Sequence, residues 1–184
     1  MRTLVFFLEE PSAREMLKAL LPRLLPSDVL PQFVVFEGKQ DLEKRLVGKL
    51  RGWQRPDSLF VVLRDQDASE CRTIKNRLVE KCHRAGRSGV LVRIACHELE
   101  SWYLGDLAAV EKALCLKGLR DHQSGSKYRD PDSVPNPSQV LIHATSKAYQ
   151  KVSGSRLIGP ELSLEHNCSK SFHAFLSGLK RLIS

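Results

Sequence analysis

Short apolar runs alternate with helix-period segments through the first hundred residues. Thr3 to Leu8 (TLVFFL) is a continuous apolar run, the pattern of a strand buried on both faces. Ser12 with Glu15 has the spacing of a capping box. Met16, Leu17, Leu20, Leu21, Leu24 and Leu25 then repeat at helical spacing, with Pro22 kinking or ending the helix and Pro26 closing it. Gln32 to Glu37 reads as a second strand that stops at Gly38. Residues 40–51 place Leu42, Leu46, Val47 and Leu50 on one helical face. Leu59 to Leu63 is a third strand, Ser69 to Ala85 a helix with Ile74, Leu78 and Cys82 inward, and Val90 to Cys96 a fourth strand. Strands alternating with helices of these lengths predict βαβ units and a mostly parallel four-stranded sheet flanked by helices, the α/β class.

After residue 96 the pattern changes. Glu98 to Leu116 reads as one helix that Gly105 can interrupt. Residues 117–138 are polar and rich in Asp, Ser, Gly and Pro, which predicts a functional or mobile loop. Short helices are expected at 138–151 and 170–183, with Ser169 or Ser171 as a cap. The expected organisation is an α/β core over residues 1–116 and a loop with a helical C-terminal extension, 117–184, packed on that core.

Composition narrows the class. Apolar content of 42% and charged content of 27% exclude a disordered or fibrous chain. No apolar run reaches the ~18 residues of a membrane span. The N-terminal run ends in Glu9-Glu10 rather than a small-residue cleavage site, so the expected location is the cytoplasm. Five cysteines without CxxC spacing argue for reduced thiols; Cys96, beside His97, reads as a small buried thiol. The net charge of +8 suits a polyanionic partner. The surplus is evenly spread, with 18 basic against 14 acidic residues in 1–100 and 11 against 7 afterwards.

The acids fall where α/β sheets bind ligands, outside the carboxyl ends of strands. The first strand ends in Glu9-Glu10, the third in Arg64-Asp65-Gln66-Asp67, and the fourth in His97-Glu98-Leu99-Glu100. Asp65 and Asp67, one residue apart, can point the same way and share a hard cation. A cluster of carboxylates repels itself or takes up protons unless a cation neutralises it. Mg²⁺ accepts such oxygen ligands and keeps waters for phosphate chemistry. Each strand end taken alone also has a plainer reading, as a helix cap; Asp67 has the position to cap the helix expected from Ser69.

Glu after the first strand with D-x-D after the third, on a βαβαβ core, resembles the Toprim domain of topoisomerases, primases and OLD-type nucleases. LEEPSAREML, FVVLRDQD, HELESWYLGD and SKSFHAFLSGLKRL together resemble an uncharacterised prokaryotic family with a Toprim-like fold, HELESWYLGD being the most specific stretch. The resemblance implies a metal-dependent nuclease acting on DNA or RNA. Glu9 would act in acid/base chemistry or metal binding. Asp65 and Asp67 would hold Mg²⁺ or Mn²⁺, and Glu98 and Glu100 would lie where related nucleases add acidic ligands. The Toprim pattern carries Gly after its glutamate; Glu10 stands there instead, which leaves Glu9 and Glu10 as alternatives. Relatives encoded beside ATPases imply an ATPase partner and a defence setting. The chain has no GxxxxGK[ST] motif, so ATP chemistry would come from that partner.

Lys44 and Arg45 on the second helix, and Arg72 and Lys75 on the third, are candidate phosphate contacts; as solvated helix faces they need no ligand. Trp102 fits a core anchor better than a base-stacking platform. Lys147 and Lys151 are spaced by four on an expected helix; one of them could reach a scissile phosphate, although surface lysine is the ordinary reading. His143, His166 and His173 have no metal spacing. Two rival functions are a receiver domain, which would need a fifth strand ending in Lys, and a non-catalytic nucleic-acid-binding or regulatory partner of an ATPase.

Overall fold

A computed structural model describes all 184 residues. Four strands, β1 (Arg2–Leu8), β2 (Val29–Val35), β3 (Ser58–Asp65) and β4 (Leu91–Ala95), form one all-parallel sheet in the order β2-β1-β3-β4. The connecting helices are α1 (Pro11–Leu20), α2 (Lys39–Arg51) and α3 (Cys71–Arg84). The remaining helices are α4 (Glu100–Leu104), α5 (Leu107–Ala113), α6 (Pro137–Ala144), α7 (Lys151–Ile158) and α8 (Lys170–Ile183). No helix is long and apolar enough to cross a membrane.

Strand side chains alternate between two cores. Leu4, Phe6, Leu8, Val61, Leu63 and Ala95 enter a cluster of 31 buried side chains that also holds α1, α4, α5 and α8. Val5, Phe7, Phe60, Val62, Val92 and Ile94 enter a cluster of 14 with Leu42, Leu46 and Leu50 of α2 and Ile74, Leu78 and Cys82 of α3. The larger core runs from Leu4 to Ile183, so residues after 116 complete one face of the sheet.

Several elements depart from the sequence expectation, each for a local reason. Residues 98–116 form two helices because the backbone leaves the helical region at Asp106 (φ −147°), which starts α5 by accepting from the Ala109 N–H, while Asn167 Nδ2–H and Cys168 N–H take the carbonyls of Trp102 and Gly105. Asp106 also accepts from Ser163 N–H at 2.7 Å, tying the break to the C-terminal segment. The helix expected over 138–151 ends at Ala144, where left-handed Ser146 and Lys147 (φ 50° and 69°) turn the chain and Lys147 N–H closes on Ile142 C=O. Lys147 and Lys151 therefore do not share a helix. Residues 117–138 contain two 3₁₀ turns and bury Tyr128, Pro131 and Val134. Helix α1 begins at Pro11, its N-cap position being Glu10, so Ser12 is buried inside the first turn rather than capping it. The third helix is capped by Glu70, not Asp67. Trp102 is fully buried against Phe172 and Phe175, and its Nε1–H donates to Ser171 at 2.8 Å.

Candidate active site at the carboxyl rim

The alternation of β1 and β3 sorts the rim residues. Asp65 follows Val61 and Leu63 onto the larger core's face, and Arg64 follows Phe60 and Val62 onto the α2–α3 face. Past the end of β1, Glu10 meets Lys151 of α7, while Glu9 approaches Arg64. Glu10 thus faces the larger core's side, while Glu9 lies between Arg64 and the Asp65 N–H.

On the larger core's face lies a buried acidic corner. Asp65 is 7% exposed, and burial pushes its carboxyl well up, with Glu100, Glu10 and Glu9 adding repulsion and Lys151 opposing them. Glu100 is fully buried; its Oε1 accepts from Tyr149 O–H at 2.8 Å and its Oε2 has no partner. Burial raises Glu100 as well, against the pull of Lys151 and the Tyr149 bond. Lys151 Nζ reaches Glu10 at 2.8 Å. Burial alone would depress this lysine, but Glu10, Glu100 and Asp65 outweigh that and raise it. Tyr149 is held by its own neighbours: its N–H donates to Thr145 Oγ1, and Gly154 leaves room for its ring, where a Cβ would come within 2.5 Å.

Asp67 lies on the other side. It adopts φ 56°, its N–H donates to His97 C=O, and its carboxylate pairs with Lys39 at 2.8 Å. Glu9 stands between the two groups: its Oε2 accepts from Asp65 N–H at 3.2 Å and lies 3.7 Å from Arg64 Nε. Burial raises the Glu9 carboxyl, and nearby Asp67 and Glu10 reinforce that against the Asp65 N–H and Arg64. Glu98 accepts from the Ser138 N–H at 2.7 Å, so it satisfies the first turn of α6. With Asp67, Gln66, His97 and Asn136, it lines a cavity of about 400 Å³ beside the acidic corner.

The rim therefore brings Asp65, Glu100, Glu10 and Glu9 together and sets Asp67 and Glu98 to one side. No three His, Cys, Asp or Glu side chains are grouped as ligands of one ion. The donor set is nonetheless one for a hard cation: all carboxylate oxygens, one of them buried without a partner, on groups whose burial disfavours charge. Of the basic candidates, Lys44, Arg72 and Lys75 are exposed, whereas Arg45 is paired to Asp41 on its own helix. Lys151, Tyr149 and Arg64 also belong to the site; Arg64 stands inside the FVVLRDQD stretch, whereas no motif marks the other two. Strand alternation after Leu8 and Leu63 is the signal that separates Glu10 from Glu9 and Arg64 from Asp65. Nothing local announces Tyr149 or Lys151.

The model of one family, Domain of unknown function (DUF4276), matches residues 8–180. The chain belongs to this family. No curated protein matches it. Among solved structures, the C-terminal region of the Burkholderia pseudomallei OLD protein is similar, with a TM-score of 0.54 and 14% identity over 98% of each chain. At that identity the likeness carries the fold, a Toprim-like α/β arrangement with a four-stranded parallel sheet. Within this DUF4276 chain the family match spans every strand end of the rim as well as Tyr149 and Lys151.

Proposed function

We propose that this chain is a metal-dependent nuclease that hydrolyses phosphodiester bonds of DNA or RNA, a cytoplasmic effector working beside a separate ATPase in defence. The observation that carries the reading is the buried corner of Asp65 and Glu100, with its unpartnered Glu100 Oε2 at the carboxyl rim of a Toprim-like sheet. Asp65 and Glu100 would hold Mg²⁺ or Mn²⁺, with Glu10 and Glu9 beside them. Such an ion, when bound, polarises a phosphoryl oxygen and lowers the pKa of a coordinated water. Glu9 has one oxygen tied to the Asp65 N–H, which leaves the other to accept a proton from the attacking water. Lys151, drawn to the corner by its carboxylates, would face the negative charge that builds on the phosphate. Lys44, Arg72 and Lys75 would position the strand through its phosphates.

One observation favours a second reading. Lys151 already supplies a cation to the corner, and the carboxylates are not grouped around an ion, as in a binding or regulatory partner that no longer cleaves. Cleavage of single- and double-stranded DNA, RNA and tRNA with Mg²⁺ or Mn²⁺, alone and with a neighbouring ATPase, separates the two. Wild-type cleavage that disappears in Asp65→Asn and Glu100→Gln supports the nuclease. Cleavage that persists in both removes the metal assignment, and an inert wild type in every condition leaves the binding role.

A further inference from the structure

Between α2 and α3, on the opposite side of β3 from Glu100, lies a second rim cavity of about 410 Å³ without one hydrophobic lining residue. Lys39, Gln40, Glu43, Arg64, Ser69 and Arg77 line it; two more carboxylates adjoin these cations from outside the lining, Asp67 paired to Lys39 at 2.8 Å and Glu9 at 3.7 Å from Arg64 Nε. Arg64 is only 3% exposed, and its guanidinium is poorly satisfied. Its Nε is buried without a hydrogen-bond partner, and its Nη2 stands 4.0 Å from Asp67, beyond hydrogen-bond range. Only Nη1 is bonded, to Glu43 Oε1, and that same oxygen also receives Arg77 Nη2 at 2.7 Å. The cavity also meets the start of the 13-residue helix α2, whose N-cap, Gly38, offers no side-chain acceptor to the first turn. A buried arginine with unused donors, two flanking cations and an uncapped helix start are the features that hold a phosphate group.

We propose that this cavity is a phosphate-binding subsite, in which Arg64, Arg77 and Lys39 grip the oxygens, while in its absence Glu43 occupies the guanidinium donors and Asp67 holds Lys39. On the nuclease reading, which this extension rests on, the bound group is a backbone or terminal phosphate of the strand whose scissile bond lies at Asp65. The arrangement then divides labour along one rim: carboxylates on one side of β3 and the phosphate grip on the other.

The test measures binding of inorganic phosphate to the full chain in EDTA at constant ionic strength, by nuclear magnetic resonance titration. Saturable binding is expected, weakened about tenfold by Lys39→Gln or Arg77→Gln, since charge-assisted donors are lost. Glu43→Gln should tighten it, because a competing anion is removed, whereas a purely structural network would not respond in that direction. Arg64→Lys keeps the charge but loses the fork, and should weaken binding as well. Lys180→Gln, at an exposed lysine of α8, is the control and should change nothing. Absence of saturable binding, or binding indifferent to Lys39→Gln, Arg77→Gln and Glu43→Gln, overturns the subsite.

Single-stranded oligonucleotides with 5′-phosphate or 5′-hydroxyl ends, and a mononucleotide, identify the source. A preference for phosphorylated ends that is lost in Arg77→Gln places a terminal phosphate there. Equal weakening of both oligonucleotides places a backbone phosphate. Phosphate and mononucleotide binding that responds to the variants, with oligonucleotide binding untouched, overturns the strand assignment. None of these readouts requires cleavage, so failure of the nuclease reading and failure of the subsite are seen separately.

Discussion

Asp65 and Asp67 are separated by one residue and live in opposite surroundings. Asp65 is in a buried acidic corner with Glu100, Glu10 and Lys151, while Asp67 is at the edge of a basic cavity, bonded to Lys39. The sheet's alternation and the left-handed turn at Asp67 part them. The acidic side is roofed by residues from the last third of the chain, Tyr149 and Lys151. The basic side is built entirely from residues 39–77. The D-x-D of this chain thus sends its two carboxylates into different surroundings, one buried among acids and one paired to a lysine.

The strongest way to break this comparison is to neutralise each aspartate in turn. Asp65→Asn is expected to lower metal-dependent cleavage at least about a hundredfold, as loss of a ligand that supports several kcal/mol of transition-state stabilisation should. Asp67→Asn should cost far less, about tenfold, through altered positioning. Equal losses measured by single-turnover cleavage would erase the distinction between the two sides.

Next in size is the packing of α8 on the larger core. Trp102→Ala removes a fully buried ring from Phe172 and Phe175 and a hydrogen bond from Ser171, and should cost about 3–5 kcal/mol in urea unfolding. Hydrogen exchange should rise first in α8 and around Tyr149, leaving α2 and α3 protected; uniform loss of protection would show that the two faces are not separable.

The buried acids also make stability depend on pH and, on the proposed metal-dependent reading, on divalent ions. Glu9, Asp65 and Glu100 have folded-state pKa values raised above their unfolded ones, so the folded chain binds more protons between those limits. Their contribution is therefore greatest at low pH and is lost as pH rises through the folded values. In EDTA this opposes stability on the alkaline side, and Mg²⁺ at about a hundred times its Kd should restore about 5–10 °C of Tm there but little at acid pH. Calorimetry showing an Mg²⁺ effect independent of pH would break the link to these carboxyls.

Tyr149→Phe leaves both Glu100 oxygens unpartnered and should destabilise the metal-free protein by about 1–3 kcal/mol, with Mg²⁺ recovering part of the loss. No change in urea midpoint would mean that water satisfies Glu100 equally well. The smallest effect belongs to the exposed helix faces. Lys75→Gln should reduce the salt dependence of nucleic-acid binding by about one phosphate contact without altering cleavage chemistry. An unchanged salt slope would remove α3's outer face from the interface.

The sheet and its two-sided burial are legible in the sequence, because strand alternation and helix period are local patterns. Val61, Leu63 and Asp65 share one parity and Phe60, Val62 and Arg64 the other, so even the division of the rim residues between faces is written in β3. Gly105 marks where the helix of residues 98–116 can be interrupted, but the cap that Asp106 supplies is seen only in the structure. Tertiary structure alone decided the rest. Glu100 faces the corner and Glu98 the start of α6 because the chain leaves β4 through a left-handed His97, a turn whose direction no spacing rule gives. Lys151 reads as a surface lysine until α7 packs on α1 and brings it to Glu10, 141 residues away. The electrostatic demand of buried carboxylates is a long-range property, and it exists only once the chain has closed around them.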